Sequence, residues 1–554
     1  MKKKLVSVLL TVAMVAAMLS GCGGSSDSSD NSGSEVTSDS TETETETETE
    51  TTEAVSDGSS TTTSIGTYTA ENPYHLVFEY LQLYDQDEAA TQAVEDELNE
   101  YMRETYHMEV EFLPASIADY QQTTQLMLSG GDELDVFPIL FSNAASWINM
   151  GGIYDMSELM DTEDAAKIID ALGEENAYVG TMNGILFGFP ANKESIELGG
   201  LCMRADICDE LGLTEKYNLD RENSDIYDGE TLTWDEAEEI FAAVKEAYPN
   251  MYPLYLSNSD QLARFTYYDP LVDSYGVLDM AADKESTTVV NLFETDQYKE
   301  AVTRLAKWYD AGYIYPDAAT DTQGTAAMMK AGNTFSYASA IKPGFLAEAE
   351  AANGCECYVL YVNRPEGGYI STTNVSFYDT GIAAQSKDPE MAFKFIAALY
   401  SDATLYNYWQ YGIEGVNYQV LDDGTAYFVD GEDGSNYKYH QNIGWELGNQ
   451  FISYVWNDGT KTADYWDELM QHNEWAYYSP AFGFMWDSGN YSTEITALSN
   501  AYDTYRAALN TGSVGSANVD STIDALNDAL YAAGLQDVID EKQAQLDAWL
   551  AENK

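Results

Sequence analysis

The stretch HLVFEYLQLYDQDEAATQAVEDELNEYMRETYHMEVEFLP (75–114) reads as strand, helix, strand. Residues 75–84 are an apolar run of strand length. Residues 87–106 space apolar side chains for a helix, with Ala89, Ala93, Val94, Leu98 and Met102 on one face. MEVEFLP then alternates with period two and stops at Pro114. Downstream, ADYQQTTQLMLSGG (118–131) predicts a helix with a glycine cap. LDVFPI (134–139) predicts a buried strand. Strand and helix alternating at this spacing predict a parallel α/β sheet. GILFGFP (184–190) and ELGGLCM (197–203) are further strand candidates. A helix opens at Thr233 with Glu236 three residues on, a capping box. From 493 to 554 the pattern is helical, broken at Gly512 and Gly534.

Upstream of this body the chain reads differently. MKKK and the apolar Leu5–Leu19 form a signal peptide over 1–21, too short for a membrane span. LSGC (19–22) resembles a bacterial lipobox, which implies that Cys22 carries lipid. The segment 22–71 holds TETETETETETTE (41–53) and lacks Lys, Arg and Trp. Its period-two pattern has no apolar face to bury, so it predicts a disordered acidic Ser/Thr/Glu tether. A chain of about 45 such residues reaches roughly 35–40 Å, and more when its charges repel.

The 554 residues carry 94 Asp and Glu against 25 Lys and Arg, a formal charge of −69. That charge repels phosphate backbones, which argues against a nucleic-acid partner. Cys202, Cys208, Cys355 and Cys357 are expected to be buried or loosely paired, and the four His show no metal-ligand spacing. No zinc-protease, phosphate-loop, dinucleotide or nucleophile-elbow motif occurs. No catalytic residue, metal or cofactor is therefore assigned. Carboxylate pairs carry no signal in a chain this acidic.

Aromatic density does carry one. Between Tyr400 and Tyr491 there are 23 Phe, Trp and Tyr in 92 residues, and six of the ten Trp. Rings beside amides and carboxylates suit a sugar, whose C–H face stacks while its hydroxyls take hydrogen bonds.

MLSGGDELDVF, TWDEAEEIF, FTYYDPL, KAGNTFSYASAIKPG, SKDPEMAFKFIAALYSD, YGIEGVNY and PAFGFMWDSG, in this order, resemble the extracellular solute-binding proteins of ABC importers. They are most similar to the carbohydrate-binding family 1 lipoproteins of Gram-positive bacteria. The pattern departs at Asp269, where maltose-binding relatives carry Trp. The resemblance implies a two-lobed periplasmic-binding-protein-like α/β fold with hinge crossings and a helical C-terminal end. The expected lobes are 72–192 plus 340–385, and 193–339 plus 386–554. Crossings are expected near 191–194, 339–343 and 384–389. A carbohydrate ligand, probed by Tyr268, Tyr337, Trp409, Trp445, Phe482 and Trp486 as stacking surfaces, is expected in the cleft. Glu414, Asp85 and Asn192 are expected to take its hydroxyls. The implied protein is a monomer, lipid-anchored on the extracellular face of the membrane, that delivers an oligosaccharide to an ABC permease. A peptide, an acid sugar clamped by Arg264 and Lys193, or a surface-anchored glycosidase are the alternatives.

Overall fold

The computed structural model describes residues 67–554 apart from 197, 222–230, 257–264 and 365–367. The signal peptide, Cys22, nearly all of the tether and Arg264 lie outside the described residues. Among the described residues no helix is long and apolar enough to cross a membrane.

Ten strands build two five-stranded sheets. In chain order they are β1 (Tyr74–Gln82), β2 (Met108–Ser116), β3 (Val136–Leu140), β4 (Phe189–Pro190), β5 (Leu198–Arg204), β6 (Thr231–Leu232), β7 (Tyr252–Tyr255), β8 (Thr334–Ile341), β9 (Cys357–Val362) and β10 (Tyr378–Ile382). The first sheet runs β2-β1-β3-β10-β4 and the second β6-β9-β5-β8-β7. β1 is parallel to β2 and β3, as the strand–helix alternation predicts, while β10 runs antiparallel both to β3 and to the edge strand β4.

The first helix, Glu88–Tyr106, buries Val94, Leu98 and Met102, while Ala89 and Ala93 face water. Asp87 caps its N-terminus through Ala90 N–H. The next helix ends at Gly131, whose φ of 71° only glycine takes without cost. Thr233 and Glu236 form the expected capping box.

Sheet pairing moves two expected boundaries. Residues 339–343 are no crossing: β8 and β9 both pair with β5, so 340–362 stays in the second sheet, linked by the helix Phe345–Asn353. Residues 384–389 are no crossing either. The helix Pro389–Ser401 packs Phe393, Phe395 and Ile396 into the first lobe's core with Phe78 and Phe189, and Leu405, Trp409, Tyr439, Ile443 and Leu447 follow it there. An apolar helix face records that it is buried but not against which sheet, so the partner lobe was not legible. The second lobe's core joins its sheet to the C-terminal helices Ser492–Asn510, Val519–Ala532 and Leu535–Asn553. Cys202, Cys208 and Cys357 are buried in that lobe, Cys355 is partly exposed, and all four are free thiols.

Candidate interlobe binding site

Three chain segments join the sheets, described over 191–196, over 363–364 with 368–377, and over 448–479. In open α/β sheets, ligands sit beyond the carboxyl ends of the strands. The surfaces flanking these crossings therefore form the candidate cleft.

The crossings are laced together by polar contacts. Asn192 N–H donates to Gly448 O at 2.7 Å, and Gln450 N–H to Asn192 O at 3.2 Å. Asn473 Nδ2 donates to Lys193 O at 2.7 Å and Oδ1 accepts from Ser195 N–H at 2.8 Å. Lys342 Nζ lies 2.6 Å from Glu194 Oε1, and Gln450 Nε2 donates to Oε2 at 2.8 Å. Burial alone raises the Glu194 carboxyl, but the Lys342 and Lys193 ammonium groups outweigh it and lower it to about 2. In the second crossing, Tyr369–Ile370 pairs in parallel with Tyr477–Tyr478 of the third.

On the first lobe, an aromatic chain follows the carboxyl end of β3. Phe141 and Phe377 have ring centroids 5.5 Å apart, Phe377 and Tyr378 5.0 Å, and Tyr378 and Trp445 5.6 Å. Phe377 and Trp445 keep part of their surface in water. Beside Trp445, Glu446 Oε1 accepts Leu81 N–H at 2.7 Å, and its carboxyl is raised by burial and by the Glu79 charge. Glu79 holds the Thr124 hydroxyl at 2.9 Å, and burial pushes it up to about 7. Both carboxyls under the platform are therefore shifted toward their neutral forms.

The Glu79 shift has a measurable consequence. A carboxyl raised in the fold binds more protons than the unfolded chain between pH 4.3 and 7, so stability falls as pH rises through that window. The loss from this group is up to about 3 kcal/mol. Glu79→Gln keeps the shape and removes the charge. Urea unfolding should show it more stable than the wild type at pH 8 and equal at pH 4; a gain of the same size at both would refute the titration.

The second lobe contributes Tyr267, Tyr268, Tyr369, Trp475 and Tyr477, all partly exposed. Tyr369 donates its hydroxyl to Tyr268 O at 2.5 Å. The Arg364 guanidinium lies 5.0 Å from the Tyr361 ring and 4.9 Å from Trp475, a planar cation held over aromatic faces.

Of the residues expected from sequence, Trp445 and Tyr268 stand on these two walls with part of their surface in water. Phe482 is buried at their edge against Tyr478, 4.5 Å between centroids. Asp85 is exposed just past β1.

The others need correction. Trp409 is 1 % exposed, enclosed by Tyr80 and Tyr406, and presents no face to a ligand. Trp486 is also 1 % exposed, within the second lobe under Lys542. Tyr337 is buried in the second sheet, its hydroxyl accepting from Asn353 Nδ2 at 3.2 Å. Asn192 lies within the first crossing, its amide donating to Ala171 O and Asn449 Oδ1. Glu414 is exposed beside the hairpin of Tyr418–Val420 and Ala426–Phe428, whose Ala426 hydrogen-bonds to Val455 and Asn457 at the outer part of the third crossing rather than to either aromatic wall. Lys193, offered for an acid-sugar clamp, donates to Glu194 O at 2.7 Å. Phe377, Tyr369 and Trp475 were missed because their positions follow from the second and third crossings, which the sequence reading placed elsewhere.

Residues 98–428 match the family described as bacterial extracellular solute-binding protein, and residues 480–551 match a domain of unknown function (DUF3502). A carbohydrate ABC transporter substrate-binding protein of Streptococcus pneumoniae is 27 % identical over 461 residues, covering 79 % of this chain and 83 % of that protein. The solved structure of the N-glycan transport solute binding protein NgtS from S. pneumoniae matches with a TM-score of 0.69 at 21 % identity, covering 87 % of this chain and 100 % of that one. An HMO-binding, ABC-transporter-associated solute binding protein of Bifidobacterium longum infantis matches at 0.58 and 16 % identity, covering 86 % and 99 %. These structures share the two-lobed α/β fold. On the 98–428 match and that architecture, the chain belongs to the bacterial extracellular solute-binding proteins.

Proposed function

We propose that this protein captures a neutral oligosaccharide between its lobes and hands it to an ABC importer permease, while Cys22 and the acidic tether anchor it outside the cell membrane. The observation that carries the sugar is the pair of part-exposed aromatic walls: Phe377 and Trp445 on one lobe, Tyr268, Tyr369 and Trp475 on the other. Rings facing from both lobes suit the two C–H faces of a pyranose. The buried carboxyls beneath Trp445, which supply no cation, and the paired Glu194–Lys342 favour a neutral ligand over an acid sugar. Support also comes from the relative named for carbohydrate import and from the fold neighbours named for N-glycan transport and HMO binding. Closure would be a hinge motion about the crossings, driven by contacts to both lobes.

A thermal-shift panel tests this. Mannose/N-acetylglucosamine oligosaccharides, other neutral glycans, acid sugars and peptides are added to the purified protein. A ligand at a hundred times its dissociation constant stabilises the fold by about 2.7 kcal/mol. A shift with one neutral glycan class and no product is expected. A shift only with acid sugars or peptides overturns the ligand class, and slow hydrolysis overturns the binding role.

A further inference from the structure

The loop in YYDPLVDSYG (267–276) holds three departures from ordinary backbone within four residues. Leu271, Val272 and Ser274 have φ of 44°, 87° and 66°. Left-handed backbone is costly for any residue with a Cβ, and most for a β-branched one such as Val272. Such a conformation persists only where its surroundings over-determine it.

The surroundings are specific. Asp269 exchanges both backbone hydrogen bonds with Leu278 at 3.0 Å, and its Oδ1 accepts Leu271 N–H at 3.0 Å. Asp273 Oδ1 accepts Tyr275 N–H at 2.9 Å. Lys542 Nζ reaches in from the last helix, 2.5 Å from Asp273 Oδ1 and 3.1 Å from Gly276 O, and lies 4.6 Å from the Trp486 ring. The Lys542 side chain is 0 % exposed. An apolar residue would fill that space at lower desolvation cost. What an ammonium adds is simultaneous donation to both ends of one turn.

At its apex the loop leaves its own lobe. Val272 packs against the second lobe's core and also against the first lobe's cluster of Phe137, Phe141 and Tyr378. Its N–H donates to Thr373 Oγ1 at 3.3 Å, in the second crossing. Thr372 in turn accepts Gly483 N–H at 2.9 Å, from the C-terminal segment that also holds Trp486.

We infer that the C-terminal segment 480–551 acts, through Lys542 as a positioning residue, to hold the 269–276 loop as a wedge between the lobes, and so sets the interlobe angle. This assigns a role to the part of the chain that matches a domain of unknown function. It rests on the proposed cleft only for its consequence, that the wedge tunes ligand affinity by fixing how open the unliganded cleft stands.

Spin labels introduced as non-canonical residues at Leu126, 62 % exposed on the first lobe, and Tyr531, 38 % exposed on the second, report the angle in the full-length, ligand-free protein. Lys542→Met, Asp273→Asn and Val272→Gly are each expected to shift the mean distance by a few ångströms and broaden its distribution. Glycine accepts the φ of Val272, so that variant keeps its fold while losing the wedge. A wild-type distribution in Val272→Gly overturns the wedge. A wild-type distribution in folded Lys542→Met overturns the positioning role, and if Lys542→Met does not fold, the same result in Asp273→Asn does so. A thermal-shift measurement of the wild type with Man5GlcNAc and the neutral glycan panel runs alongside. Shifted distances without any glycan binding keep the wedge and remove the sugar.

Discussion

Replacing Lys342 with methionine is expected to destabilise the protein by about 2–3 kcal/mol at pH 7. The substitution leaves Glu194, 16 % exposed, without the ammonium 2.6 Å away. Breaking a fully buried pair costs more, about 3–5 kcal/mol, but Lys342 keeps 31 % of its side-chain surface in water. Glu194→Gln in the Lys342→Met background removes the stranded charge and should recover most of the loss, a coupling that a double-mutant cycle reads directly. The pH dependence has a definite sign. Glu194 is lowered in the fold, so its contribution is complete above the unfolded value near 4.3 and is lost as pH falls toward about 2. Urea unfolding between pH 7 and 3 should therefore show the gap between wild type and Lys342→Met narrowing in acid. A gap that stays constant would mean that the pair does not titrate as described. The same ion pair ties the first crossing to the end of β8, so the variant should also loosen the hinge.

Two tryptophans give the second large effect, and they should fail in opposite ways. Trp409→Ala removes a ring enclosed by Tyr80 and Tyr406 and should cost about 3–5 kcal/mol of stability. The folded fraction should bind glycan as the wild type does. Trp445→Ala removes a part-exposed ring next to Tyr378. It should cost little stability and weaken glycan binding by about 1.5–2 kcal/mol, roughly ten- to thirtyfold. Calorimetry with the glycan found by thermal shift, together with urea midpoints for both variants, separates the two. Equal affinity in Trp445→Ala would remove the first-lobe platform from the site. No reaction is expected in either case, because the family is one of binding proteins and not enzymes.

Several features of the fold were legible locally. The β1–helix–β2 unit, the glycine cap at Gly131, the Thr233 capping box and the helical C-terminal end follow from periodicity and capping chemistry, which act within a few residues. The motifs naming the family were legible in the same way, as an ordered set of local patterns.

Sequence could also say that residues 400–491 are rich in rings. It could not say which of them are buried. Trp409 and Trp445 both sit among polar and aromatic neighbours, yet one closes a core and the other stands on a wall. The difference depends on where Gly444–Glu446 meets β1 and β10, hundreds of residues upstream or tens away. The same limit explains the misplaced crossings. β9 and the helix Pro389–Ser401 each advertise an apolar face, and such a face is satisfied equally by either sheet. The sequence by itself determined the local elements, the acidic composition and the family. Only the tertiary structure decided which lobe each element joins, which aromatics keep surface in water, and that Lys542 reaches the strained loop at Asp273 and Gly276, because burial is non-directional and its partners are chosen by the packing of the whole chain.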